Sequence, residues 1–451
     1  MLDVESRRRS LVERLGHIRE LLSQLESTRE RLTDGAQQLL AALLELSDQV
    51  DTVLRDRWEG LGDLPADQRD ELRLELCNDF HDVLQEFGHT LIPALEGASA
   101  SSIPVELETT VQIGVSNSAQ NWNLQAVLYG EHQYNYSIAF IKDPVGQYGR
   151  PLGVSSASSA GRADFVFLSL PRLERGSISL HAIILGHELG HLRDWYEGVS
   201  DGVDLPIPQE FLDEGGQLTT DRAAEVNIYR VVAANWVAET VADVISYLIL
   251  GPAAALSLAE LTATLGPIDA DSLTHPAADR RLKIMLDMRD KRGPTGPDGL
   301  EGLLDDLGSR LGEPFARPAL IRALDDQGPV ELAWEWLRGQ LPDLVTRCEQ
   351  LVQQEELFAP DLAADVSAAS ELLARGRPCG ELLRDDGSAS VMRTRVILNA
   401  VWDVKARKLN DLAGHLSMQT DSSENVQRLS TVIEDLAAKS LEITARLRGR
   451  L

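Results

Sequence analysis

Leu11, Leu15, Ile18, Leu22, Leu25, Arg29, Leu32, Ala36, Leu39, Leu43, Leu46, Val50 and Val53 alternate at spacings of four and three, and Arg29 is the one polar member. Sustained over about six heptads, the repeat predicts a long coiled-coil helix of roughly 65 Å. Gly16 and Gly35 are weak points within it. Such a stripe must be buried against a second copy of the chain, a partner protein, or a helix from the chain's other end. Beyond the turn-rich residues 290–299 the sequence again reads as helical, with long apolar stripes over 391–416 and 423–447. A C-terminal helical bundle that also takes in the N-terminal helix is slightly preferred to a homodimer.

The middle of the chain has a different period. Residues 105–113, 124–129 and 135–141 alternate apolar and polar positions, and 163–170 is a run of aromatic and branched residues. All four are predicted strands. Asp143-Pro144-Val145-Gly146 supplies turn chemistry. The Gly/Ser-rich stretch 153–161 reads as mobile or cleft-lining and lacks the arrangement of a phosphate-binding loop. The expected fold is therefore α+β and mostly helical. It divides into a helical region over 1–100, a central domain with a small sheet over 101–290, and a helical domain over 291–451.

Candidate chemistry follows the last predicted strand. Leu180, Ile183, Ile184 and Leu185 lead, without a proline, into His187-Glu188-Leu189-Gly190-His191, with Ser177 or Ser179 as a plausible N-cap. On a helix, positions i and i+4 share a face, so both imidazoles can grip one ion while Glu188 stands beside it. Zinc suits that donor set, and Glu188 is placed to take a proton from a metal-bound water. A strand leading into such a helix also offers an edge that holds a peptide by backbone hydrogen bonds.

A catalytic site needs a third protein ligand. Glu239, 48 residues beyond His191, lies with Asp243 at i and i+4 in a strongly apolar segment. Two carboxylates on one face of a buried helix require partners. Ligation by Glu239, with Asp243 holding the second nitrogen of a histidine, would satisfy both; pairing with an arginine elsewhere is the alternative. His275, just before Pro276, lies where a helix begins, and a histidine or arginine there can donate to a developing oxyanion. A capping histidine and a surface arginine are the plainer reading of that segment.

In combination, His-Glu-x-x-His, the later Glu239-x-x-Ala242-Asp243 and His275-Pro276 with Arg281 six residues after the histidine resemble the gluzincin metallopeptidases, and within them the M48 (Ste24/HtpX-like) family. The resemblance spans roughly residues 160–290. It implies a zincin-like core, Zn2+ bound by His187, His191 and Glu239, Glu188 as general base, and Asp243 as partner of a histidine ligand. It also places His275 and Arg281 where they polarise the substrate carbonyl and anchor the site. Unlike the integral-membrane members, this sequence has no uninterrupted apolar span: the run after Asp243 is broken at Gly251-Pro252. The connection between ligands, 192–235, is long and acidic, and either shapes a cleft or is a solvated loop.

Composition narrows the partners. Across 451 residues, 71 Asp and Glu against 43 Lys and Arg give a formal charge of −28. That balance disfavours nucleic acid and anionic membrane surfaces. No export-type apolar core follows the N-terminal arginines, and three scattered cysteines, Cys77, Cys348 and Cys379, read as reduced thiols in a cytoplasmic protein. The expected function is a zinc endopeptidase acting on protein or peptide substrates. The competing expectation is a non-catalytic helical scaffold or regulatory protein whose zinc site is structural or vestigial, and a third is a hydrolase of non-peptide amides.

Overall fold

In a computed structural model the chain is mostly helical α+β with one small mixed sheet, and its packing separates two units, Met1–Arg175 and Gly176–Leu451. The boundary falls inside the 101–290 segment. The structure describes residues 3–98, 103–118, 123–132, 136–149, 152, 163–213, 216–218, 222–292, 296–352, 362–383 and 389–448. The 153–161 stretch lies outside them, as do Glu214 and Asp221 of the acidic connection.

In the first unit, α1 (Val4–Glu26) and α2 (Asp34–Gly60) replace the single long helix expected from the heptads. The repeat itself marks the core: Leu11, Leu15, Ile18 and Leu22 are buried on α1, and Ala36, Leu39, Leu43, Leu46 and Val50 on α2. The break comes at the polar member, where Arg29–Arg31 form one 3-10 turn and Ser27 and Thr28 turn their hydroxyls back onto the end of α1. The stripe is buried within this unit, against α3 (Ala66–Glu86), a π-helical turn Phe87–Leu91 and α4 (Ile92–Gly97).

Residues 105–113 are not a strand but part of α5 (Val105–Ser118). The same letters carry a helical face, since Leu107, Val111 and Val115 recur at i, i+4 and i+8 and are fully buried; short apolar runs fit both periods. The other strand predictions hold as β1 (Leu124–Glu131), β2 (Ser137–Ile141) and β3 (Asp164–Pro171), with α6 (Pro144–Gly149) between the last two. The order is β1-β3-β2, with β3 parallel to β1 and antiparallel to β2. Strand 164–170 is thus the central strand. Both its edges are taken, so it has no free backbone to hold a substrate. Gln112 of α5 covers the open edge of β1, accepting from Ala126 N at 3.0 Å and donating to Leu124 O at 3.4 Å.

The second unit holds a π-helical turn Ile183–Glu188 that runs into α7 (Leu189–Glu197), then α8 (Ala223–Leu250), α9 (Pro252–Leu265), α10 (Ala278–Arg292), α11 (Asp298–Leu311) and α12 (Gly328–Val352). After α13 (Leu362–Ala374) come the short antiparallel pair β4 (Glu381–Leu383) and β5 (Ala389–Val391). Then follow α14 (Thr394–Asp403), a π-helical turn Val404–Lys408, α15 (Leu409–His415) and α16 (Ser423–Leu447). The 423–447 helix is as expected; 391–416 is helical from Thr394 to His415 through that π-turn, while its first residue, Val391, lies in β5. Helix α8 is the axis of the unit. It is long and apolar enough to cross a membrane, yet 83% of its most apolar stretch is buried within the fold. α7, α9, α10 and α12 pack on it, and Trp334 of α12 meets Trp236 edge to face at 6.2 Å.

Candidate metal centre

The hydroxyl of Ser179 does not cap the His-Glu-x-x-His segment. Ser179 instead donates both its backbone N–H (3.0 Å) and its hydroxyl (2.7 Å) to the Glu434 carboxylate of α16. Lys405 also binds Glu434 and donates to Ser179 Oγ at 2.8 Å. The charge of Lys405 offsets the cost of burying that carboxylate. From this anchor the chain enters the π-turn that carries His187 and Glu188, and regular α-helix resumes before His191. Wide turns of this kind recur at functional sites.

Gly186 and Gly190 let this helix approach α8 closely. A Cβ on Gly190 would lie 2.9 Å from Ala242 O and 3.0 Å from Ala242 Cα; one on Gly186 would lie 2.2 Å from Ser246 Oγ. Each glycine immediately precedes a histidine, so the close contact carries the imidazoles to the Glu239 and Asp243 face of α8.

There, His187 Nε2 lies 3.2 Å from His191 Nε2 and 3.3 Å from Glu239 Oε2, and His191 Nε2 lies 3.2 Å from Glu239 Oε1. A tetrahedral site with bonds of about 2.0–2.1 Å has donor-to-donor edges of about 3.3 Å. Measured to the nearer Glu239 oxygen in each case, the three side chains are spaced at about that size, and they form a three-residue group able to hold a metal ion. Glu239 Oε2 is buried and accepts no hydrogen bond, its cationic neighbour being Arg281 Nη2 at 3.4 Å, so it keeps a lone pair for a metal ion.

Asp243, 1% exposed, accepts from His187 Nδ1 at 3.0 Å, which leaves Nε2 directed at the shared point. Arg281 of α10 clamps the same carboxylate with two bonds, 2.6 Å from Nε and 2.8 Å from Nη2, and lies 3.4 Å from both ring nitrogens of His187 and from Glu239 Oε2. Both alternatives open for Asp243 are thus realised at once. Arg281 is buried behind the histidine, facing the supporting carboxylate.

The electrostatics favour positive charge at the centre. Burial disfavours a charged His187, but Glu239 and Asp243 outweigh it and raise the imidazole to about 10. Burial likewise opposes ionisation of Asp243; Arg281 and His187 overcome it and lower the carboxyl to about 2. Glu239 is held well below its usual range, burial being overridden by His187, His191 and Arg281. Glu188 goes the other way: 5% exposed, it is raised by burial against the opposing pull of the histidines. Among the described residues no side chain hydrogen-bonds to its carboxylate.

His275 stands at the open side. Its side chain is 50% exposed, Nε2 is 3.4 Å from Glu239 Oε1, and Nδ1 is 2.7 Å from Thr274 Oγ1. The segment is tied to α8 by Asn235 Nδ2 donating to Leu273 O and Trp236 Nε1 donating to Ser272 O. All seven residues singled out in the sequence, His187, Glu188, His191, Glu239, Asp243, His275 and Arg281, come together in the second unit. The glycine pair and the Ser179–Glu434–Lys405 anchor had not been singled out. The first was legible as Gly at i and i+4 beside the histidines; the second joins residues 255 apart and leaves no local signal.

Comparison with known protein families, curated proteins and solved structures finds no match to this chain.

Proposed function

We propose that the protein is a zinc-dependent endopeptidase of the gluzincin type, similar to the M48 family in its motif order. The observation that carries this reading is the convergence of His187 Nε2, His191 Nε2 and the Glu239 carboxylate, each within 3.2–3.3 Å of the next, beside a buried and unengaged Glu188. A structural site would have no need of that fourth side chain.

A zinc ion in this triangle would acidify a water and polarise a peptide carbonyl. Asp243 keeps the proton of His187 on Nδ1, and Arg281 keeps Asp243 in place. Glu188 accepts a proton from the attacking water at its carboxylate and then delivers it to the amine nitrogen as the C–N bond breaks. A carboxyl pushed up by burial suits both halves of that transfer, since it binds the proton more readily than an exposed glutamate. His275 Nε2, on the open side, donates to the oxyanion.

The test is hydrolysis of an unfolded protein substrate by wild type and Glu188→Gln, each with its zinc content measured. The expected result is equal zinc and a loss of rate of about 10²–10⁴-fold or more in the variant. Undiminished hydrolysis by Glu188→Gln, or the absence of both zinc and hydrolysis in the wild type, overturns the proposal.

A further inference from the structure

A second cluster of polar side chains lies in the first unit, unrelated to the metal centre. α1 and α3 pack through the apolar residues Leu11, Ile18 and Leu84, and beside that seam opens a groove of about 790 Å³, continuing into a recess of about 200 Å³. On α1 its wall is Arg7, Ser10, Arg14 and His17, spaced three, four and three, which is one helix face. On α3 the facing wall includes His81, and the π-turn Phe87–Leu91 adds Gly88 and His89. A Cβ on Gly88 would meet nothing within 4 Å, so the groove stays open at that end.

The charge here runs against that of the chain. With 71 acidic and 43 basic residues overall, the groove is lined by two arginines and three histidines, and Glu13 is the one carboxylate among the lining residues. Other arginines nearby are neutralised: Arg8 faces Glu5 at 3.8 Å, and Arg19 faces Asp48 at 3.0 Å and Asp51 at 3.3 Å. Among the described residues, neither Arg7 nor Arg14 has a carboxylate within ion-pair distance. Arg14 Nη1 donates instead to His81 Nδ1 at 3.0 Å, in a cation-to-imidazole contact that gains no charge neutralisation.

We propose that this groove binds a small phosphate-bearing molecule, its phosphoryl group between Arg7, Arg14 and His81 and its organic body against Ile18 and Leu84. Guanidinium forks match phosphate oxygens bidentately, and Ser10 adds a hydroxyl donor. The volume is in the range of small-ligand sites. A metal ion fits poorly, because among the described residues the one group of converging ligand atoms is His187, His191 and Glu239.

The test is calorimetric titration of the full-length protein with inorganic phosphate and, separately, ADP. At low salt at least one probe is expected to bind more tightly than about 1 mM, and Arg14→Ala to weaken it about tenfold or more. Tighter binding of ADP supports both the phosphoryl seat and the apolar one; equal binding overturns the contact of the organic body with Ile18 and Leu84. Arg14 is exposed and Arg7 half-buried, so the double Arg7→Ala/Arg14→Ala variant is expected to keep the native circular dichroism spectrum. Failure of both probes to bind, or binding by the double variant as tight as that of wild type, overturns the proposal; the latter would assign the anion to the metal centre.

Discussion

Two imidazole nitrogens 3.2 Å apart, both directed at a carboxylate, are held in that geometry by the groups behind them. Asp243 is the residue on which this depends. It fixes the tautomer of His187, and Arg281 fixes Asp243. Because its carboxyl is lowered to about 2 in the folded protein, the linkage has a definite sign. Its contribution, of about 2 kcal/mol, is fully present above the ordinary carboxylate value and is lost as pH falls through about 2. Denaturation followed from pH 5 to pH 2 should therefore show Asp243→Asn losing less stability with acid than the wild type. Near neutrality the same variant is expected to bind zinc about 10–100-fold more weakly. An unchanged acid profile and unchanged zinc affinity would show that Asp243 does not support the site.

At the scale of elements, the site is made by one close helix crossing. Gly190 touches the backbone of Ala242, which cannot move aside as a flexible side chain would. Gly190→Ala is thus expected to push α7 off α8, destabilise the protein by about 1–3 kcal/mol and reduce zinc binding, as measured by thermal unfolding and metal titration. Local pattern carried much of this: the i, i+4 spacings of His187/His191 and Glu239/Asp243 are properties of single helices and survive folding unchanged. It failed where two periods fit the same residues, as at Leu107, Val111 and Val115, which read as a strand and fold as α5. It also missed the break between α1 and α2, although Arg29 interrupts the stripe there. β3 looked like a substrate-holding edge because pairing partners are not written in a strand's own letters; β1 and β2 occupy both of its sides.

At the scale of the whole molecule, the metal centre draws on parts of the chain far apart in sequence. The segment that carries His187 starts from Ser179, whose N–H and hydroxyl both end on Glu434 of α16, with Lys405 closing the cluster. Glu434→Ala would leave the partly exposed Lys405 without its carboxylate and the buried Ser179 N–H without its acceptor. Leaving such a donor unsatisfied costs about 1–3 kcal/mol. The midpoint of thermal unfolding should fall accordingly, and zinc affinity with it; a variant as stable as wild type would show that the C-terminal helix does not brace the site.

The most direct test of the central claim is X-ray absorption at the zinc edge on the full chain carrying one equivalent of zinc. Four nitrogen or oxygen neighbours at about 2.0–2.1 Å, with outer-shell scattering from two imidazoles, are predicted. A first shell containing sulfur at about 2.3 Å, or one without imidazole scattering, would contradict it.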